Sequence, residues 1–280
     1  MIVSTRPEAQ TPIRQQPRQD YLGRQLREMP AFRGLLRAVE ARAYEQFDLA
    51  APLLDVGCGD GHFVTVVFEE KVDVGIDPWG GPVKEAVQRG GYRLVIQGEG
   101  ACMPFPDGHF ASAMSNSVLE HIPDVQAVLD EVSRVLQPGA LFVFCVPNHQ
   151  FLPNLSVARF FDRLGLRGLA SAYRRFFNRI SRHHHCDPPE VWQNRLEQAG
   201  FRLERWWHYF SPGALAALEW GHYFGLPSLV SKVLFKRWIL VPTGWNLALT
   251  RAILQRYYEE APENPQGAYS FFVARKIDNR

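Results

Sequence analysis

Apolar positions along the chain change period several times, and each change marks an element. From 31 to 48, Phe32, Leu35, Leu36, Val39, Ala43 and Phe47 recur at helical spacing, with Arg33, Arg37, Glu40 and Arg42 among the intervening positions. This predicts an amphipathic helix that either covers the mouth of a cleft or packs on a sheet. The run Leu53-Leu54-Asp55-Val56 predicts a buried strand breaking into glycines at 57, 59 and 61, a tight turn that leads into a helix over 62–70. Further strands are predicted over 72–77, Tyr92 to Ile96, Phe110 to Ser115 and Leu141 to Val146, with helices over 82–89 and Val125 to Leu136 between them. Pro106-Asp107-Gly108 and Pro138-Gly139 supply turns. The run over 141–146 is nearly all apolar, as a strand covered on both faces requires. Strand and helix in this alternation predict an α/β protein with a doubly wound parallel sheet.

Past Pro147 the pattern shifts. Residues 151–182 read as helix, with Phe151, Leu155, Phe160, Phe161, Tyr173 and Phe177 among seven arginines from Arg159 to Arg182. Pro188 to Ala199 reads as a helix with Asp187 as its cap and Gly200 closing it, and Phe201 to Tyr209 as a strand. A second insertion rich in Trp, Leu and Phe follows over 212–258, and AYSFFVARK over 268–276 has strand character. The organisation expected is a disordered leader (1–20), a helical cover (21–48), a nucleotide-binding core (49–150), a helical insertion (151–186), a core helix and strand (187–211), a second insertion (212–262) and a last strand with its tail (263–280).

Composition narrows the classes. The 280 residues, 46% hydrophobic, suffice for one full core, and a net charge of +2 is too mild to mark a nucleic-acid binder. Cys58, Cys102, Cys145 and Cys186 lack paired spacing, which favours a reducing cytoplasm. The Pro- and Gln-rich first twenty residues carry no apolar core of signal-peptide length, and no run has the length of a membrane span.

The glycine turn carries the first chemistry. Glycine permits positive φ and lets a ligand lie against the backbone. A dinucleotide fingerprint would place its third glycine at 62, where this chain has His62. Asp55 ends the strand, and a carboxylate there repels a pyrophosphate but attracts an ammonium group. The ligand indicated is a nucleoside with a cationic amino-acid tail, and a nicotinamide oxidoreductase is disfavoured.

LLDVGCGDG resembles the first motif of the Rossmann-like (class I) S-adenosylmethionine-dependent methyltransferases. VDVGIDPW, GEGACMPFPDGHF, SNSVLEHIPD and RVLQPGALFVFCVPN agree with that family in order. The resemblance implies a seven-stranded, mostly parallel sheet with helical insertions and S-adenosyl-L-methionine as cofactor. It implies a cofactor site of Asp55, Gly57, Cys58 and Gly59, with Asp77 and Pro78 at the ribose, Glu99, Gly100 and Ala101 at the adenine, and Asn116 beneath the transferred methyl group. Glu99 stands where the family more usually has aspartate.

His121, in LEHIP, is placed to serve as a base for a hydroxyl acceptor or to orient its loop while positioning alone drives transfer. The run His183-His184-His185-Cys186 is set aside as a metal site, because contiguous side chains diverge whereas metal ligands converge, and no metal is expected. The resemblance instead places His184 or His185 in an acceptor pocket with His121. The two insertions are expected to enclose an apolar acceptor, to dock on a membrane surface, or simply to pack on the core. The function expected is a small-molecule methyltransferase whose acceptor is apolar or lipid-like and whose methylated atom is O, N or C. The alternative is a non-catalytic module that binds the same cofactor as a sensor or recruiter.

Overall fold

The computed structural model describes residues 12–13, 19–235 and 237–278, without the side chains of 226–229. In chain order the elements are α1 (Tyr21–Glu28), α2 (Ala31–Tyr44), β1 (Leu53–Val56), α3 (His62–Val67), β2 (Val72–Asp77), α4 (Gly80–Arg89), β3 (Tyr92–Gln97) and β4 (Phe110–Asn116). A 3-10 turn (Leu119–His121) follows, then α5 (Val125–Val135), β5 (Leu136–Pro147), α6 (Ser156–Arg163), α7 (Arg167–Ser181), α8 (Pro189–Gln198) and β6 (Phe201–Tyr209). The chain closes with α9 (Pro212–Phe224), α10 (Leu226–Phe235), α11 (Gly244–Tyr258) and β7 (Tyr269–Lys276). Among these residues seven strands form one sheet in the order β3-β2-β1-β4-β5-β7-β6. β1 pairs in parallel with β2 and β4, β2 with β3 and β4 with β5, while β7 runs antiparallel to β5 and β6.

Successive strand residues point to opposite faces, and the core divides accordingly. Leu53, Met114, Val143, Phe271 and Val273 join one cluster with Leu35 and Leu36 of α2 and Val64 of α3. Leu54, Val56, Ala113, Phe142, Phe144 and Phe272 join the other with Val128 and Leu129 of α5 and Trp192 and Leu196 of α8. Both insertions belong to the first face, through Leu155, Ala158, Ala170 and Phe177 on one side and Leu215, Leu218 and Leu254 on the other. Much of the second insertion's apolar surface remains outward, with Phe224 and Trp245 each 77% exposed. No helix among the described residues is long and apolar enough to cross a membrane.

Several boundaries depart from the pattern. Pro138-Gly139 does not stop a helix ahead of β5 but lies inside it, where the register against β4 shifts between Phe110 and Ser112 and Gly139 takes φ +75. The first insertion is two helices, because Gly165 at φ +75 turns the chain between α6 and α7. Asp187 does not cap α8; it pairs with Arg195 at 2.7 Å. The expected leader lies mostly outside the described residues, but Ile13 is buried and its N–H donates to the Leu49 carbonyl at 2.8 Å. Glu40, read among the polar positions of α2, is completely buried.

Candidate active site

Strand order reverses between β1 and β4, and the crevice beyond their C-terminal ends is where open α/β sheets take ligands. Gly57, Gly59 and Gly61 turn the chain there at φ +82, +54 and +73. A Cβ on Gly57 would stand 2.3 Å from Val118 Cγ1, whereas one on Gly59 would meet nothing within 4 Å. The turn is therefore packed on its inner side and open on its outer side, a cradle in which a ligand can touch backbone. The Gly57 and Cys58 N–H groups donate to the Ile76 carbonyl at 2.8 and 3.0 Å. Asp77 binds the turn from β2, its Oδ2 accepting from Gly59 N at 3.0 Å and its Oδ1 from Trp79 N at 2.9 Å. Each carboxylate oxygen retains a lone pair for a ribose hydroxyl.

Asp55 is 4% exposed, and its Oδ2 accepts the Tyr92 hydroxyl at 2.6 Å. Burial pushes its carboxyl up to about 7, opposed by the Tyr92 hydrogen bond and Arg37 and reinforced by Asp77. The ligand-free protein thus holds a proton that the unfolded chain, near 3.8, releases, so this group's contribution to stability falls as pH rises from about 4 to about 7. A cationic ligand group favours the ionised carboxylate and reverses the preference. Affinity for S-adenosylmethionine should therefore rise by up to about tenfold per unit between about pH 5 and 7, with proton release on binding. Calorimetry in buffers of different ionisation enthalpy checks this; pH-independent binding without proton release would contradict it.

At the other end of the crevice, Gly98 N donates to the Asp77 carbonyl at 3.1 Å, and a Cβ on Gly100 would lie 3.3 Å from Val128, so the loop hugs α5. Arg134 holds the rest of this loop, donating to the Met103 carbonyl at 2.9 Å and the Phe105 carbonyl at 2.8 Å. Glu99 and Ala101 are exposed along it, and Pro78 follows Asp77 on the same edge. The structure thus gathers Asp55, Gly57, Cys58, Gly59, Asp77, Pro78, Glu99, Gly100 and Ala101 along one side of the crevice.

Asn116, expected beneath the transferred methyl group, has a side chain 7% exposed and engaged on both polar atoms. Its Nδ2 donates to Glu40 Oε2 at 2.7 Å, and its Oδ1 accepts from Cys145 Sγ at 3.1 Å. Glu40 also accepts from Arg37 Nη1 at 2.7 Å, Ser117 Oγ at 2.8 Å and Tyr209 Oη at 3.0 Å. One buried carboxylate therefore ties α2, β4 and β6 together directly below the crevice. Ser117, held at φ +51, is part of that knot.

His121 lines a pocket of about 610 Å³ together with Trp79, Asn178, Arg179, Arg182, His183 and His184. Its Nδ1 is 3.0 Å from the Arg182 carbonyl, which makes Nδ1 the protonated nitrogen and leaves the Nε2 lone pair free. Burial lowers its pKa, so the imidazole is neutral at neutral pH. The Glu120 carbonyl accepts from His184 N at 2.7 Å and His185 N at 3.2 Å, so the end of the first insertion is fastened to the LEHIP segment. His184 lines this pocket and His185 does not: its Nε2 meets the Ile122 carbonyl at 3.0 Å and its Nδ1 meets Asp187 at 3.3 Å. The wall combines Trp79 with arginine and imidazole side chains, and among the described residues none of the second insertion lines it.

Sequence reasoning did not single out Trp79, Arg179 or Arg182, nor Glu40 as a buried acid, and it set His183 aside. Glu40 stands four residues after Leu36 on the apolar stripe of α2, a signal that was available; the pocket residues come from elements distant in sequence.

The methyltransferase-domain family matches residues 54–144, the stretch that carries the glycine turn, Asp77, the Glu99 loop and His121. This stretch matches a methyltransferase domain, and the sheet around it has the fold of S-adenosylmethionine-dependent methyltransferases. An uncharacterized methyltransferase of Mycobacterium sp. (strain JLS) is 35% identical over 97 residues, covering 32% of this chain and 36% of the relative. The chain thus matches about a third of the length of that relative. Among solved structures, an S-adenosylmethionine-dependent methyltransferase from Mesorhizobium loti superposes with a TM-score of 0.51 at 15% identity, covering 88% of this chain and 100% of the other. One from Thermotoga maritima does so with a TM-score of 0.51 at 15% identity, covering 86% and 89%. At these identities the likeness is one of fold.

Proposed function

We propose that the whole chain is an S-adenosylmethionine-dependent methyltransferase that methylates O, N or C of a small, largely apolar or lipid-like acceptor. The observation that carries this reading is the continuity of the crevice with the pocket: Trp79, whose N–H binds the Asp77 carboxylate, is also a wall of the pocket beside His121. Donor and acceptor sites that share a wall can align a sulfonium methyl with a nucleophile, and such alignment supplies much of the acceleration. The lipid-like part of the acceptor is supported by the outward apolar side chains of both insertions, among them Phe176, Phe224 and Trp245. Arg179 and Arg182 in the pocket wall support a polar or anionic group at the acceptor's reacting end. The same apolar and arginine-bearing surface supports peripheral contact with a membrane that holds the acceptor.

The test is transfer of labelled methyl from S-adenosylmethionine into lipid and small-molecule extracts. Organic-soluble labelled product is expected; label in nucleic acid, or cofactor binding without any transfer, would overturn the reading, the second outcome favouring a sensor. His121, which lines the pocket with its Nε2 lone pair free, is the candidate proton acceptor. His121→Ala should lower turnover by at least about a hundredfold while cofactor affinity holds; a fall under about tenfold would leave positioning as the explanation.

A further inference from the structure

The 3-10 turn and the end of α7 meet at a cluster that the cofactor crevice does not use. Glu120, His121 and His183 each direct one ligand atom into a common space, and these atoms all lie within 4.8 Å of one another. Glu120 is 2% exposed, and its Oε2 has no hydrogen-bond partner among the described residues. A buried carboxylate oxygen left unpaired costs free energy that some partner normally recovers. Its other oxygen stands 3.6 Å from His121 Nε2, too far for a hydrogen bond, so neither oxygen is satisfied by the imidazole.

We propose that Glu120, His121 and His183 form a binding site for a divalent transition-metal cation, of which zinc is the best match. One carboxylate and two imidazoles with an open position is the ligand set of a catalytic zinc or related site. The surroundings fit it in a second respect: His121 turns its Nδ1 to the Arg182 carbonyl, the contact by which ligand histidines fix their orientation and present the opposite nitrogen. His183 is positioned by Phe151, whose ring centroid is 4.9 Å away, and its Nδ1 lies 3.6 Å from Cys186 Sγ. The backbone bonds from His184 and His185 to the Glu120 carbonyl bring the two halves of the set together. The contiguous histidine run is thus not itself the site; one of its members joins two residues from sixty positions earlier.

His121 and His183 line the acceptor pocket, so a cation held by this set would border it. Cation binding stands independently of the methyltransferase reading; a role for the cation in turnover rests on that reading. In that role the cation binds the acceptor hydroxyl and lowers its pKa, and the proton leaves to solvent. The oxygen electron pair then forms the new bond to the methyl carbon, and the sulfonium C–S pair returns to sulfur. The cation and a free His121 base use the same nitrogen lone pair, so only one of the two operates.

The test is titration of metal-free full-length protein with Co²⁺, a spectroscopic stand-in for zinc, read by its visible absorption and by calorimetry, with S-adenosylmethionine affinity measured in parallel. One equivalent should bind and give ligand-field bands of low symmetry. Glu120→Gln and His183→Ala should each weaken binding by at least about tenfold, while His184→Ala leaves it unchanged and all three retain cofactor affinity. Absence of Co²⁺ bands at saturating metal would overturn the site, as would binding that survives Glu120→Gln but is lost in His184→Ala, the signature of the histidine run alone. Because cofactor affinity is read separately, a failed metal site and a failed methyltransferase assignment give different results.

Discussion

Glu40→Ala should lower the stability of the protein by about 3–5 kcal/mol, the range found when one partner of a buried ion pair is removed. Glu40 is fully buried and receives hydrogen bonds from Arg37, Asn116, Ser117 and Tyr209. Alanine strands the Arg37 guanidinium, whose side chain is only 18% exposed, and leaves the other donors facing a cavity. Glu40→Gln keeps the shape and one acceptor oxygen, so its loss should be smaller. Urea unfolding reads both as shifts of the midpoint at constant slope. A change below about 1 kcal/mol for alanine would mean that the knot is replaced by water rather than left unsatisfied.

Asp77→Ala should weaken S-adenosylmethionine binding by about 2–4 kcal/mol, the sum of two hydrogen bonds to a charged acceptor less some compensation by water. Its position predicts a second effect. Because the carboxylate accepts from Gly59 N and Trp79 N, its removal also loosens the glycine turn and the Trp79 wall of the pocket. Acceptor affinity should therefore fall together with cofactor affinity, which a residue touching only the ribose would not produce. Calorimetry on the folded variant measures the first effect, and KM for acceptor the second. Unchanged cofactor affinity would count against the crevice as the cofactor site.

The core was legible because its strands repeat one physical pattern, apolar runs ended by glycine or an acid, and β1, β2, β3 and β4 begin where the runs do. The start of β5 was hidden because Pro138-Gly139 reads as a break, although a bulge accommodates both residues within a strand. At the site, Asp55, Asp77 and the glycines were readable because they lie on consecutive strands. The make-up of the pocket wall was not, since Arg179, Arg182 and His183 reach His121 only after the chain has left the sheet and returned. The Asn116–Glu40 bond was hidden for a related reason: Glu40 sits on a helix 76 residues earlier, and nothing local marks the pairing.

That departure and return has a consequence for how the protein can diversify. The chain leaves β5 at Asn148, whose side-chain amide donates to the Gly267 carbonyl and Ser270 Oγ at 2.9 Å each, and comes back at the hydrogen bonds from His184 and His185 to Glu120. The α6–α7 excursion is therefore clamped at both ends, to the sheet at Asn148 and to the 3-10 turn at Glu120. Lengthening a loop whose ends are already fixed costs little entropy, since closure grows only with the logarithm of length. The excursion can thus be rewritten as a cassette, exchanging one acceptor surface for another while the α5 and α8 face and the glycine turn stay as they are.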